Sequence, residues 1–179
     1  TRGAWTLQVQ AHAGKYEDPV NYIGVSSAAS DGYDIGLDVS EPPPLVDSLR
    51  LYMPSAAGGL ARDTRSASGD RQEWDVEVAC RLANTPISVS WPTLNADVPN
   101  DLTARLEDAD SGASVYMRTA NAYTFQMSEP GVRHSTPSRR VCSSASTKRS
   151  CARARSSAPR RRSAWQRLMA GLLRLPHSS

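Results

Sequence analysis

The sequence predicts an all-β fold, an antiparallel β-sandwich of jelly-roll or Ig-like kind, followed by a disordered basic tail. Two observations point to the sandwich: short runs with an apolar residue at every second position, and turn-forming residues between nearly all of them. A third sets the boundary. Residues 1–130 hold all eighteen Asp and Glu against nine Lys and Arg, a net of −9, whereas residues 131–179 hold twelve Lys and Arg and no acid, a net of +12. The overall net charge of +3 hides this break. Compositions so unlike seldom share one folding unit, so the chain reads as an acidic body joined to a basic tail.

The first strand is Trp5-Thr6-Leu7-Gln8-Val9-Gln10-Ala11-His12, apolar and polar in strict alternation. The same period recurs in Leu49–Met53, in Trp74–Cys80 with acids on the opposite phase, in Ile87–Trp91 and in Tyr123–Met127. Weaker runs are Tyr22–Ser26, Thr103–Glu107 and Ser114–Arg118. Turn signals separate them: Ala13-Gly14, Asp31-Gly32, Glu41-Pro42-Pro43-Pro44, Ala57-Gly58-Gly59, Ser68-Gly69-Asp70 and Asp110-Ser111-Gly112. No sustained helical period occurs before residue 130. About eight short strands, each with one buried face, make a two-layer antiparallel body. About 130 residues suffice to bury one core.

Trp5, Trp74 and Trp91 share the apolar phase of their runs and are expected in the core. His12 falls on the polar phase and is expected to be exposed. With no second His before residue 130, zinc sites and Ser-His-Asp chemistry lack an imidazole partner. No phosphate loop, dinucleotide fingerprint, nucleophile elbow or His-Glu-x-x-His pair is present, so the body is expected not to be an enzyme. A carboxylate pair acting on glycosides is the one catalytic class left, since acids are plentiful. Cys80 reads as a small core residue; Cys142 and Cys151 lie in the tail, and three Cys make no disulfide framework. No apolar run approaches the roughly 20 residues that span a bilayer. The chain opens Thr1-Arg2-Gly3 with no initiator Met, which reads as a fragment or a processed product.

Two candidate sites follow. Asp31, Asp34 and Asp38 lie within eight residues that include glycines, a pattern able to wrap oxygen ligands around Ca²⁺, although the spacing is not that of an EF-hand. The plainer reading is an acidic loop whose carboxylates cap turns. Apart from this Ca²⁺ candidate no cofactor is expected. Strand phase also places Arg50 and Tyr52 outward, and likewise Tyr116 and Arg118. Were their strands neighbours, two rings and two guanidinium forks would make a glycan-binding face; cross-strand pairing on a solvated sheet is the alternative.

Taken together, Trp5, Asn21-Tyr22-Ile23-Gly24-Val25, Ala28–Asp34, Leu37–Pro43, Leu49–Met53, Asp63-Thr64-Arg65, Trp74, Val89-Ser90-Trp91, Leu106-Glu107-Asp108, Tyr116-Met117-Arg118 and Tyr123-Thr124-Phe125 resemble a β-sandwich domain of large secreted bacterial proteins. In those proteins the domain precedes an Ig-like module of the FlgD or type IX secretion sorting kind. The resemblance covers residues 4–130. It implies a secreted or cell-surface accessory, spacer or recognition module whose partners are neighbouring domains of its parent polypeptide. It transfers no catalytic residue.

The tail departs from that pattern. Residues 131–162 are rich in Arg and Ser and are expected to be disordered; 163–174 hold Trp165, Leu168, Met169, Leu172 and Leu173 at helical spacing behind Ser163 as N-cap; 175–179 form a disordered terminus. Arg139, Arg140, Lys148, Arg149, Arg153, Arg155, Arg160, Arg161 and Arg162 are candidate anion-binding residues, each able to neutralise a phosphate of nucleic acid or of an anionic membrane. The terminal helix is also of the basic amphipathic kind that lies on membranes. A GC-rich coding region read out of frame gives the same Arg, Ser, Ala, Pro and Cys bias. On that reading the tail is a frameshift product and the body lacks its closing strand, leaving a sheet edge open.

Overall fold

The computed structural model describes residues 3–43, 49–68 and 71–141, with side chains described as far as Ser135. Twelve strands and one short helix follow in chain order: β1 Trp5–Ala13, β2 Tyr16–Ser26, β3 Val39–Ser40, β4 Leu49–Ser55, β5 Gly58–Ser66, β6 Arg71–Glu73, β7 Val76–Cys80, β8 Thr85–Ser90, α1 Leu94–Asp97, β9 Leu102–Asp108, β10 Ser114–Tyr116, β11 Ala122–Met127 and β12 Gly131–Val141. The body is therefore mostly β, as its alternation predicts.

Hydrogen bonding joins the strands in one path, β10-β9-β12-β7-β4-β5-β2-β1-β8-β11, with β3 on β5 and β6 on β12. The link between its two halves is β4. Leu49–Tyr52 pair with β7, and Met53–Ser55 pair with β5, so one strand changes partner midway. β1 and β2 form a hairpin whose two-residue loop begins at Gly14 with φ +61°, a left-handed conformation that suits glycine. Two residues of β2, Pro19 and Val20, oppose the single Gln10 of β1 in a bulge, and Gln8 Nε2 donates to Pro19 O at 2.7 Å.

The inner rows meet in one core. Leu7, Val9, Ile23, Val25, Ile87, Val89 and Phe125 come from one half of the path; Leu51, Val76, Val78, Leu102 and Leu106 come from the other. Trp5 and Trp74 touch edge to face with ring centroids 5.7 Å apart, and Trp91 donates its indole N–H to Met117 O and Ala120 O, both at 2.8 Å. All three indoles are buried, as their phase predicts, and so is Cys80.

Four expectations need correction. β2 and β5 pair in parallel, so the sheet is not antiparallel throughout. The run Trp74–Cys80 keeps its alternation, but its strand, β7, begins at Val76, and Trp74-Asp75 form the link from β6. Gly58 and Gly59, read as turn residues, open a strand that was not expected: β5 carries no simple alternation, because its buried positions include Asp63, paired with Arg65, and Thr64, whose amide donates to the Asp38 carboxylate. Finally, the body does not stop at residue 130. β12 lies between β7 and β9 and joins them, so β7 has a strand neighbour where an open edge was expected. Its ladder bonds are backbone bonds, which most side chains permit, so the composition break at Gly131 does not end the sheet. Arg139 and Arg140 fall within β12, opposite Gln72 and Arg71 of β6. The remaining anion-binding candidates, Lys148, Arg149, Arg153, Arg155, Arg160, Arg161 and Arg162, and the helix expected over 163–174, lie outside the described residues.

Candidate functional site

The most connected polar surface lies across β4, β7 and β12. Tyr52 stands opposite Glu77, and Glu77 opposite His134, so three adjacent strands present one row. Tyr52 donates its hydroxyl to Glu77 Oε2 at 2.6 Å, and Glu77 Oε1 lies 3.1 Å from His134 Nδ1. Arg50 stacks over the Tyr52 ring, 5.1 Å from its centroid, and its Nε lies 3.4 Å from Glu41 Oε1. Burial, helped by the hydrogen bond and charge of Glu77, pushes the Tyr52 phenol up to about 12. Burial and the nearby Asp18 raise Glu41 above its usual range, against the opposing pull of Arg50. The row contains a phenol, a carboxylate and an imidazole but no alcohol or thiol nucleophile, and Glu77 lies between the other two, accepting from Tyr52. Chemically it is a cross-strand ladder of opposite partners. His134 escaped the sequence reading because its outward phase is visible only once Gly131–Val141 is recognised as a strand.

The glycan face is not assembled. Arg50 and Tyr52 are on β4 and Tyr116 is on β10, with β7, β12 and β9 between, a separation of four strand spacings or about 19 Å. Arg118 is taken up elsewhere. Its guanidinium donates to Leu102 O at 3.0 Å, Asn95 Oδ1 at 3.1 Å, Val98 O at 3.3 Å and Pro99 O at 2.5 Å, stapling α1 and the following loop onto β9.

The acidic loop follows the plainer reading. Asp34 accepts from the Ser30 amide at 2.6 Å, Asp38 accepts from the Asp34 amide and the Thr64 amide at 2.7 Å each, and Asp31 accepts from the Ser66 amide at 3.3 Å. The three carboxylates thus aim at separate backbone donors and do not converge on a common point. Among the described residues no group of three His, Cys, Asp or Glu side chains is arranged to hold a metal ion. What the carboxylates do is pin residues 30–38 against β5. His12 is exposed, as its phase predicts.

The deepest charge was not singled out from the sequence. Asp108, at the end of β9, is 1% exposed. Its carboxylate accepts from Arg133 Nη2 at 2.5 Å, Tyr123 Oη at 2.7 Å, Ser111 Oγ at 2.5 Å and the Asp110 amide at 3.0 Å. Burial alone would raise its pKa; the bonds from Arg133, Ser111, Tyr123 and the Asp110 amide outweigh that and hold it well below the usual carboxylate range. Arg133 also lies over the Phe125 ring at 5.1 Å. β9, β11 and β12 are thereby tied together at one end of the body.

Protein-family models, curated proteins and solved structures give no match to this chain.

Proposed function

We propose that the chain is a non-catalytic accessory module of a larger secreted bacterial protein, with a β-sandwich body that serves as a spacer or recognition domain. The sandwich reading is supported by the single core between the two halves of the strand path and by the change of partner in β4, the kind of corner by which one sheet passes into another. The secreted bacterial parent is carried over from the resemblance of residues 4–130, and the non-catalytic role is supported by one observation: the buried carboxylates are spent on the fold. Asp38 and Asp108 bind backbone amides, Asp108 also binds Arg133, and Asp63 binds Arg65 Nη2 at 2.9 Å. Carboxylates held this way hold loops and strands in place and are not poised to exchange protons with a substrate.

The rival reading, from the charge break, is binding of nucleic acid or an anionic membrane through the Arg-rich tail. The body through residue 141 holds eighteen acids against twelve Lys and Arg, a net of −6, which opposes that, so the tail beyond it must act alone. Heparin chromatography in a salt gradient, with the full chain and with a version in which Arg149, Arg153, Arg155 and Arg160–Arg162 are serine, separates the two. The accessory-module reading expects both forms to elute together at low salt. Strong, salt-sensitive retention lost in the serine version would replace it with the anion-binding reading. Turnover of chromogenic glycosides or esters by the same sample would overturn the non-catalytic reading outright.

A further inference from the structure

We propose that β11 is a self-pairing edge through which two copies of this chain join into one continuous sheet. β11 ends the strand path, and its one strand partner among the described residues is β8. Asn121 O accepts from the Trp91 amide at 3.4 Å and Met127 O from the Asn84 amide at 2.9 Å, which puts the backbone of the odd-numbered residues toward β8. The N–H and C=O groups of Ala122, Thr124 and Gln126 therefore face away from it, and all three residues are exposed. Sheet edges are ordinarily protected by a charge, a proline, a bulge or extreme shortness. Ala122-Tyr123-Thr124-Phe125-Gln126-Met127 has none of these, whereas the other end of the path, β10, has only three residues.

The occupant follows from the strand itself. An antiparallel partner in two-fold register about Thr124 pairs Thr124 with its own copy and Ala122 with the partner's Gln126, each exchanging the backbone bonds left free at this edge. In the same register Tyr123 meets the partner's Phe125, an aromatic pair on the inner row. The strand carries no charged side chain, so no like charges oppose each other anywhere along this register.

Sedimentation equilibrium of the full chain tests this. The expected result is a monomer–dimer equilibrium that Thr124→Lys shifts to monomer by at least tenfold in the association constant, because two ammonium groups then face each other. Mixing Thr124→Lys with Thr124→Asp should restore the dimer as a heterodimer. A second variant, Ala122→Lys with Gln126→Glu in one chain, places opposite charges face to face in this register and should tighten association. These side chains are exposed, and circular dichroism and melting confirm that each variant is folded. A full chain that stays monomeric at its highest soluble concentration, or dimers indifferent to Thr124→Lys, would overturn the proposal.

Discussion

At the level of single residues, Asp108 carries the most consequence. A carboxylate this buried is tolerated because Arg133, Tyr123, Ser111 and the Asp110 amide all donate to it. Replacing it with Asn leaves Arg133 without its buried counter-charge and should destabilise the body by about 3 kcal/mol. The sign of the pH effect follows from its lowered pKa. Stability from this pair is fully present above the ordinary value of 3.8 and is lost as pH falls from there toward the folded-state value. Urea melts of the wild type and Asp108→Asn, taken from about pH 6 to about pH 3, should show the gap between them narrowing with acid. A gap independent of pH would assign the loss to packing alone. Arg133 also bears on the charge break. It sits beyond residue 130, yet it answers a buried acid on β9, so the chain remains chemically matched to the body at least that far.

At the level of elements, the strands legible in the sequence are those whose inner row is uniformly apolar. Leu7, Val9 and Ala11 in β1, or Val76, Val78 and Cys80 in β7, announce their period directly. β5 and β12 were illegible for the opposite reason. Their inward or buried positions hold Asp63, Thr64, Arg133 and Ser135, polar residues that break the apolar period, and the partners of Thr64 and Arg133, Asp38 and Asp108, lie 26 and 25 residues away. The four residues of α1 are too few to show a helical period. The loop over residues 30–38 was legible as a cluster of acids but not as a clamp, since its amide donors at Thr64 and Ser66 come from β5. One element-level constraint was entirely silent. A Cβ at Gly24 would lie 2.5 Å from Trp5 O, backbone against backbone across the β1–β2 ladder. Gly24→Ala should therefore force these strands apart and destabilise the body by about 2 kcal/mol, measured by thermal or urea unfolding. An alanine variant as stable as the wild type would show that the ladder can yield.

For the molecule as a whole, one core unites both halves of the strand path, and Trp5, Trp74 and Trp91 all lie in it. Unfolding should accordingly be a single cooperative event, with tryptophan fluorescence and far-ultraviolet circular dichroism giving coincident urea transitions. Separate midpoints would mean that the halves joined through β4 unfold independently. The glycan face failed at this same scale. Strand phase correctly turned Arg50, Tyr52 and Tyr116 outward, but phase says nothing about strand order, and the order sets β4 and β10 four places apart.

The position of β12 has a bearing on biosynthesis. Among the described residues β9 has strand neighbours only in β10 and β12, so until residues 131–141 are made its hairpin with β10 has no other strand to pair with. Until then β7 lacks its β12 neighbour, and the β9–β10 hairpin can meet the rest of the body only through side chains such as Leu102 and Leu106, not through ladder bonds. The last strand of the chain's described residues thus completes the body from the middle of the sheet and not from the rim, the arrangement that most delays strand pairing during synthesis.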